Sequence, residues 1–224
     1  MSQTRQLAGG GRAVEVEPER LHRFLDRFAT AHGGAVETRC TAEHVELTTA
    51  DGSVATVPVP FGPLSAGLGE RKGLDVEHLV AHLLRPRTVG LLLVRLGGYT
   101  VGVARDGVVL VSRTGARPVH GRTAAGGQSQ QRFARRRAGQ ARVALHAAAD
   151  AAAAVLLPRS GELDGLVLGG DRGALRALAG DQRLATLLAS AEPRVLDVPE
   201  PRRVVLDEAA RRARAVEVQL RSSH

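Results

Sequence analysis

At 224 residues and 43 % hydrophobic content, the chain can bury a real core, as one generous domain or a domain with a smaller companion. Aromatics make up only 2 % and Trp is absent, so that core must be built from Ala, Val and Leu. A single cysteine, Cys40, excludes an internal disulfide and a cysteine-rich metal site.

The start, Met1 to Arg12, is polar and Gly-rich and lacks the apolar core of a signal peptide. Residues 1–15 read as a flexible tail. Pro18 opens a helix, with Leu21, Phe24, Leu25 and Phe28 at helical spacing, and Gly33-Gly34 stops it. His44–Thr49 and Ser53–Val59 alternate around Asp51-Gly52, a hairpin signal. Val76–Leu84 reads as a short amphipathic helix, and Pro86 as a boundary. Residues 16–86 therefore form a small α+β section. Val89–Leu96, Tyr99–Ala104 and Val108–Ser112 read as neighbouring antiparallel strands. Residues 113–128 show no periodicity and are expected to form a long exposed loop.

A long helix is expected from about Ser129 to Pro158. Ala134, Ala138, Ala141, Leu145, Ala148, Ala152 and Val155 form one stripe, while Arg132, Arg135, Arg136, Arg142 and His146 fall largely on the opposite face. Beyond it, Leu163–Leu168 and Val195–Val198 read as strands. Ala174–Leu178, Leu184–Ala189 and Leu206–Leu220 read as helices. Strands interleaved with helices give an α/β class, a sheet with helices packed on it, preceded by the small α+β section.

Charge is distributed unevenly. The chain holds 31 Lys+Arg and 23 Asp+Glu, a net of +8. Between Gly107 and Ala149 there is no acid, but there are Arg113, Arg117, Arg122, Arg132, Arg135, Arg136, Arg137 and Arg142. Without those eight arginines, the 23 remaining basic residues balance the 23 acidic ones. The basicity is thus one local patch, either a solvated helix face or the electrostatic footprint of nucleic-acid binding. With only Tyr99, Phe24, Phe28, Phe61 and Phe133 as aromatics, any RNA recognition is expected to rest on phosphates and shape.

The patch surrounds Gly126-Gly127-Gln128. Two residues without a Cβ let the main chain approach a crowded partner. One primary amide follows, which does not titrate but can orient a water or stabilise an oxyanion. Alone, the tripeptide reads more readily as an ordinary glycine turn before a helix. Its flank adds specificity: Gly126-Gly127-Gln128-Ser129-x-x-Arg132-Phe133-Ala134-Arg135-x-Arg137 resembles the catalytic-domain signature of eukaryotic and archaeal class-1 peptide-chain release factors. The resemblance runs from about Thr88 to Leu220 and includes Gly165-Leu166-Val167-Leu168-x-Gly170 and Asp181-Gln182-Arg183-Leu184. Only about 85 residues precede it, without recognisable codon-reading motifs. The pattern is therefore more similar to the release-factor-like peptidyl-tRNA hydrolases of ribosome quality control, the VLRF type.

What that resemblance implies is a catalytic domain over 87–221, a mixed sheet flanked by helices, whose glutamine loop enters the peptidyl-transferase centre of the large ribosomal subunit. There it would hydrolyse peptidyl-tRNA in stalled complexes, with ribosomal RNA completing the site. It implies Gln128 as the catalytic residue held by Gly126 and Gly127, with Gln130 and Gln131 as rival glutamines. Arg122, Arg132, Arg135, Arg136, Arg137 and Arg142 would then bind RNA. No cofactor, metal or membrane is expected, since no run approaches the roughly 20 apolar residues of a span, and the protein is expected in the cytoplasm. The alternatives are a non-catalytic ribosome- or RNA-binding factor that uses the same basic loop and helix, and a self-contained hydrolase.

Other signals are generic. His78-x-x-x-His82 puts two imidazoles on one helix face, which suits a metal pair or packing. Gly169-Gly170-Asp171-Arg172-Gly173 suits a phosphate cradle or a plain strand–helix turn. Cys40 has no activating neighbour in sequence.

Overall fold

The computed structural model describes residues 4–7, 10–95, 97–116 and 128–223, with side chains from residue 139 onward in the last segment. The chain divides into two compact units, Met1–Pro86 with Arg212–His224, and Arg87–Arg211.

The first unit is an antiparallel sheet with two helices. Its strands are β1 (Thr4–Gln6), β2 (Arg12–Val16), β3 (Ala35–Cys40), β4 (His44–Thr49), β5 (Val54–Pro58), β6 (Gly69–Lys72) and β12 (Val216–Arg221), in the order β1-β2-β12-β5-β4-β3-β6. Helix α1 (Pro18–Ala31) starts at Pro18 and buries Leu21, Leu25, Phe28 and Ala29, a single stripe at i, i+4, i+7 and i+8. Helix α2 (Glu77–Leu83) adds Leu79 and Leu83. These side chains meet Val45, Leu47, Ala55, Val57, Val218 and Leu220 in one core. Each large one contributes about 1.5–3 kcal/mol by leaving water.

Local chemistry sets the β4–β5 register. Asp51 accepts hydrogen bonds from the Ser53 amide at 2.9 Å and the Thr49 hydroxyl at 2.8 Å, and Gly52 takes a φ of +81°. The Ser53 amide and the His32 imidazole hold the Asp51 carboxyl well below the usual carboxylate range.

Two expectations fail here. Residues 4–6 and 12–16 are strands, not part of a flexible tail, because Ala13, Val14 and Val16 pair with the 216–220 segment. Residues 206–220 are not one helix: α6 (Arg203–Arg214) stops and β12 follows, pairing with β2 and β5. The Val216, Val218, Leu220 alternation is strand-like and buries 2 %, 0 % and 5 % exposed side chains. Strands β3 and β6 also escaped the sequence reading.

The second unit has a five-stranded mixed sheet. Strands β7 (Thr88–Arg95), β8 (Gly98–Arg105) and β9 (Val108–Ala116) form the expected antiparallel meander. Strand β10 (Gly165–Gly170) runs parallel to β7, and β11 (Ala191–Leu196) parallel to β10, giving the order β11-β10-β7-β8-β9. Helix α3 (Gln128–Leu156) lies on one face, followed by a 3-10 turn at Leu157–Glu162 that begins beside Pro158. Helices α4 (Arg172–Leu178) and α5 (Ala185–Ala189) supply Leu175, Leu178 and Leu187 to the same core. The α/β class and the helix-flanked mixed sheet are as expected.

Strand β12 fills the middle of its sheet, so its apolar side should be unforgiving. Val218→Ala is expected to lower stability by about 2 kcal/mol, read as a lower urea midpoint with an unchanged slope; an unshifted midpoint would mean that this strand does not complete the core.

Candidate active loop and nucleic-acid interface

The site begins with how α3 is held. Ala148, Ala151 and Ala152 are 0–2 % exposed and, with Val155 and Leu156, pack against Leu92, Val94, Val101, Val103 and Leu166. Alanines leave little between helix and sheet, so the backbone comes close. Ala141 and Leu145, from the expected stripe, are partly buried, whereas Arg142 and His146 are exposed. The expected division of α3 into an apolar and a basic face holds over residues 139–156.

A second tie fixes α3 from the side. Arg183 donates from Nη2 to Asp150 at 2.9 Å and to Asp181 at 2.7 Å, and from Nε to Asp181 at 3.0 Å. Asp181 also accepts the Arg183 amide at 3.0 Å, and Leu184 beside it is fully buried. The side-chain bond from Arg183 lowers the Asp181 pKa, and the two carboxylates raise that of Arg183. The Asp181-Gln182-Arg183-Leu184 segment is therefore a structural clasp between α3 and the α4–α5 turn.

The sequence-derived site residues fall in three groups. Arg122, Gly126 and Gly127 lie outside the described residues. Gln128 is the first residue of α3, and Arg132, Arg135, Arg136 and Arg137 occupy its next turns, where the backbone alone is described. Gln130 and Gln131 lie there too. Arg142 is exposed, and no described residue pairs with it. The loop expected over 113–128 is shorter at its start, because β9 continues through Ala116. Thr114 faces Thr100 with the two hydroxyls 3.2 Å apart, and Gly115 lies opposite Tyr99, so the ladder holds to the end of the strand. Arg113 thus stands on a strand and is exposed.

The generic signals resolve into structure. His82 is 4 % exposed and donates from Nε2 to the Pro60 carbonyl at 2.9 Å, while His78 is exposed. Among the described residues no group of three or more His, Cys, Asp or Glu could hold a metal. Asp171 caps α4, accepting the Ala174 amide at 2.7 Å, so the glycine-rich segment is a strand–helix turn. Cys40 is buried, which pushes its thiol pKa up.

By length and composition one stretch, Gly139–Glu162, could cross a membrane, where the sequence reading found none. Its alanine seam is packed on the sheet, and its outer face carries Arg142, His146 and the Asp150 that pairs with Arg183. It is the core helix of this unit.

The family match begins with the second unit and runs past its end into β12. Residues 87–219 match the family model for the Actinobacteria/chloroflexi VLRF1 release factor, and the chain belongs to that family. No curated protein matches. One similar solved structure, described only as an archaeal protein, is 16 % identical with a TM-score of 0.40, over 73 % of this chain and 48 % of that one. The crystal structure of an archaeal translation termination factor, aRF1, is 17 % identical with a TM-score of 0.41, over 73 % and 47 %. That of Archaeoglobus fulgidus Pelota is 13 % identical with a TM-score of 0.30, over 94 % and 64 %. The chain thus spans about half the length of the first two.

The Arg183 clasp has a pH signature. Because the folded-state pKa of Asp181 is depressed, its contribution is present above the ordinary aspartate value of about 3.9 and is lost as pH falls through the lowered value. Asp181→Asn should therefore lower the thermal midpoint at neutral pH, with the gap to wild type closing in acid. A gap of the same size at every pH would show that the charge on Asp181 plays no part.

Proposed function

We propose that this release-factor family member is a codon-independent peptidyl-tRNA hydrolase that acts in the cytoplasm on the large ribosomal subunit, releasing nascent chains from stalled complexes. One observation carries the reading: Gly126-Gly127-Gln128 and its arginine-rich flank lead directly into α3, inside the 87–219 family match. The residues on either side are anchored, β9 by its ladder with β8 and α3 by its alanine seam.

The chemistry asked of the loop is modest. Water attacks the ester carbonyl carbon, the carbonyl oxygen gains negative charge, and the bond to the ribose oxygen of tRNA breaks as that oxygen takes a proton. Gln128 has no proton to exchange near neutrality, so its part is positional: its amide orients the water, and an amide N–H faces the oxyanion. The first N–H groups of a helix have no intrahelical partner and lie at the positive end of its dipole, which suits that task. Gly126 and Gly127 let the backbone enter the RNA-lined centre, and Arg122, Arg132, Arg135, Arg136, Arg137 and Arg142 neutralise phosphates around it.

Release of a labelled peptide from purified stalled large-subunit complexes tests the reading. Gln128→Ala is expected to slow release about 100-fold or more while leaving subunit binding intact. Release that survives the substitution sinks the glutamine mechanism. Binding without any release by the wild type points to the non-catalytic RNA-binding factor, and equal activity on free peptidyl-tRNA to a self-contained hydrolase.

Binding should also respond steeply to salt. For single-stranded RNA, each phosphate contact removed lowers the log–log salt slope by about 0.7. Arg142→Gln is expected to reduce the slope by about that amount, and an unchanged slope would remove Arg142 from the interface.

A further inference from the structure

Strand β9 is the outermost strand of its sheet, and its last residues precede the Gly-Gly-Gln segment. On the face shared with α3, Tyr99 of β8 stands opposite Gly115, and Val101 opposite Arg113. Tyr99 and Arg113 are therefore diagonal neighbours on one face, about 7–8 Å apart. Gly115 has a reason to be glycine: a Cβ there would collide with Cζ and Oη of the Tyr99 ring. The ring is thus laid across the edge strand, with its hydroxyl over a residue that has no side chain. It is partly exposed, Arg113 is exposed, and neither polar group is bonded to any described residue.

A phenol placed for packing alone is matched by phenylalanine. Here the hydroxyl is carried to the sheet edge and has no hydrogen-bond partner among the described residues, beside a guanidinium of the acid-free segment that is likewise unpaired among them. We propose that Tyr99 and Arg113 form a contact site for one unpaired RNA nucleotide, beside the loop in sequence. The ring and hydroxyl take the base and sugar, and Arg113 takes the phosphate. The occupant follows from charge complementarity and from the pairing of an aromatic plane with a cation, the combination that holds single-stranded RNA without reading its sequence. The inference rests on the RNA-binding reading above and extends it from phosphates alone to an aromatic contact.

The chain supplies its own probe, since Tyr99 is its only tyrosine and it has no tryptophan. Full-length protein is titrated with unlabelled oligouridine while tyrosine emission is followed, and affinity is measured separately by anisotropy of end-labelled RNA. The expected result is quenching of the emission that saturates with binding. Tyr99→Phe should leave the thermal midpoint unchanged, because no bond is lost, yet weaken binding about 2- to 10-fold. Tyr99→Leu should weaken it about 5- to 100-fold. RNA that binds with salt dependence while emission and the affinity of Tyr99→Phe stay unchanged overturns this site and leaves the RNA reading standing. If no RNA binds even at low salt, the RNA reading falls, and this site with it.

Discussion

The architecture of the Arg87–Arg211 unit depends on how closely α3 can lie against its sheet. A helix faced with leucine would stand off by a further side-chain layer. Ala148, Ala151 and Ala152 remove that layer, and the flanking Val155 and Leu156 fill the space around them. The helix is 29 residues long, and among its described side chains, from residue 139 onward, the buried positions run from Ala148 to Leu156. Rigid helical geometry carries that anchoring back to residue 128. The direction of α3 is therefore decided at one end and used at the other, and the Arg183 clasp adds lateral restraint near the anchored end.

Charge is organised to the same purpose. Among the described residues, several basic side chains that serve structure have carboxylate partners. Arg212 meets Glu15 through two bonds of 2.7 and 3.0 Å, Arg214 meets Glu19, Arg39 meets Glu70, and Arg203 meets Asp207. Arg212 and Glu15 are largely buried, whereas the other three pairs are exposed and contribute little to stability, typically below about 1 kcal/mol. Their effect is to neutralise the surface they occupy. Arg113 and Arg142 fall within the segment that has no acid to pair with, so their charge stays available. A sequence with 23 acids placed none of them between residues 107 and 149, and that omission keeps a local field intact.

The legible parts of this chain were those whose cause lies close in sequence. Asp51-Gly52 marks its hairpin because the Asp51 carboxylate bonds residues two positions away on either side. The 88–105 strands and the α3 stripe follow from periodicity alone. The beginning and end of the chain were misread because their partners are each other: Arg12–Val16 and Val216–Arg221 become strands only when brought together across some 200 residues. No local window contains that information, and 206–220 holds enough Ala and Arg to continue as a helix. Tyr99 was visible as the only tyrosine, but its orientation over Gly115 was not, because it depends on strand register. The Gly-Gly-Gln block stood out in the sequence through the resemblance of its flank to the release-factor signature, and the described structure begins again only at Gln128.

The central position of β12 has a consequence for how the protein is made. Strands β2 and β5, early in the chain, flank a gap that only residues 216–221 can fill. At about 5–20 residues per second, a ribosome needs on the order of ten seconds to go from β5 to β12, and in that interval it synthesises the whole of the Arg87–Arg211 unit. That unit has its own core and can fold while still tethered. The first unit keeps two strand edges open until residues 216–221 have been made and can reach them. Until that strand arrives, the edges of β2 and β5 are open backbone with which another strand could pair.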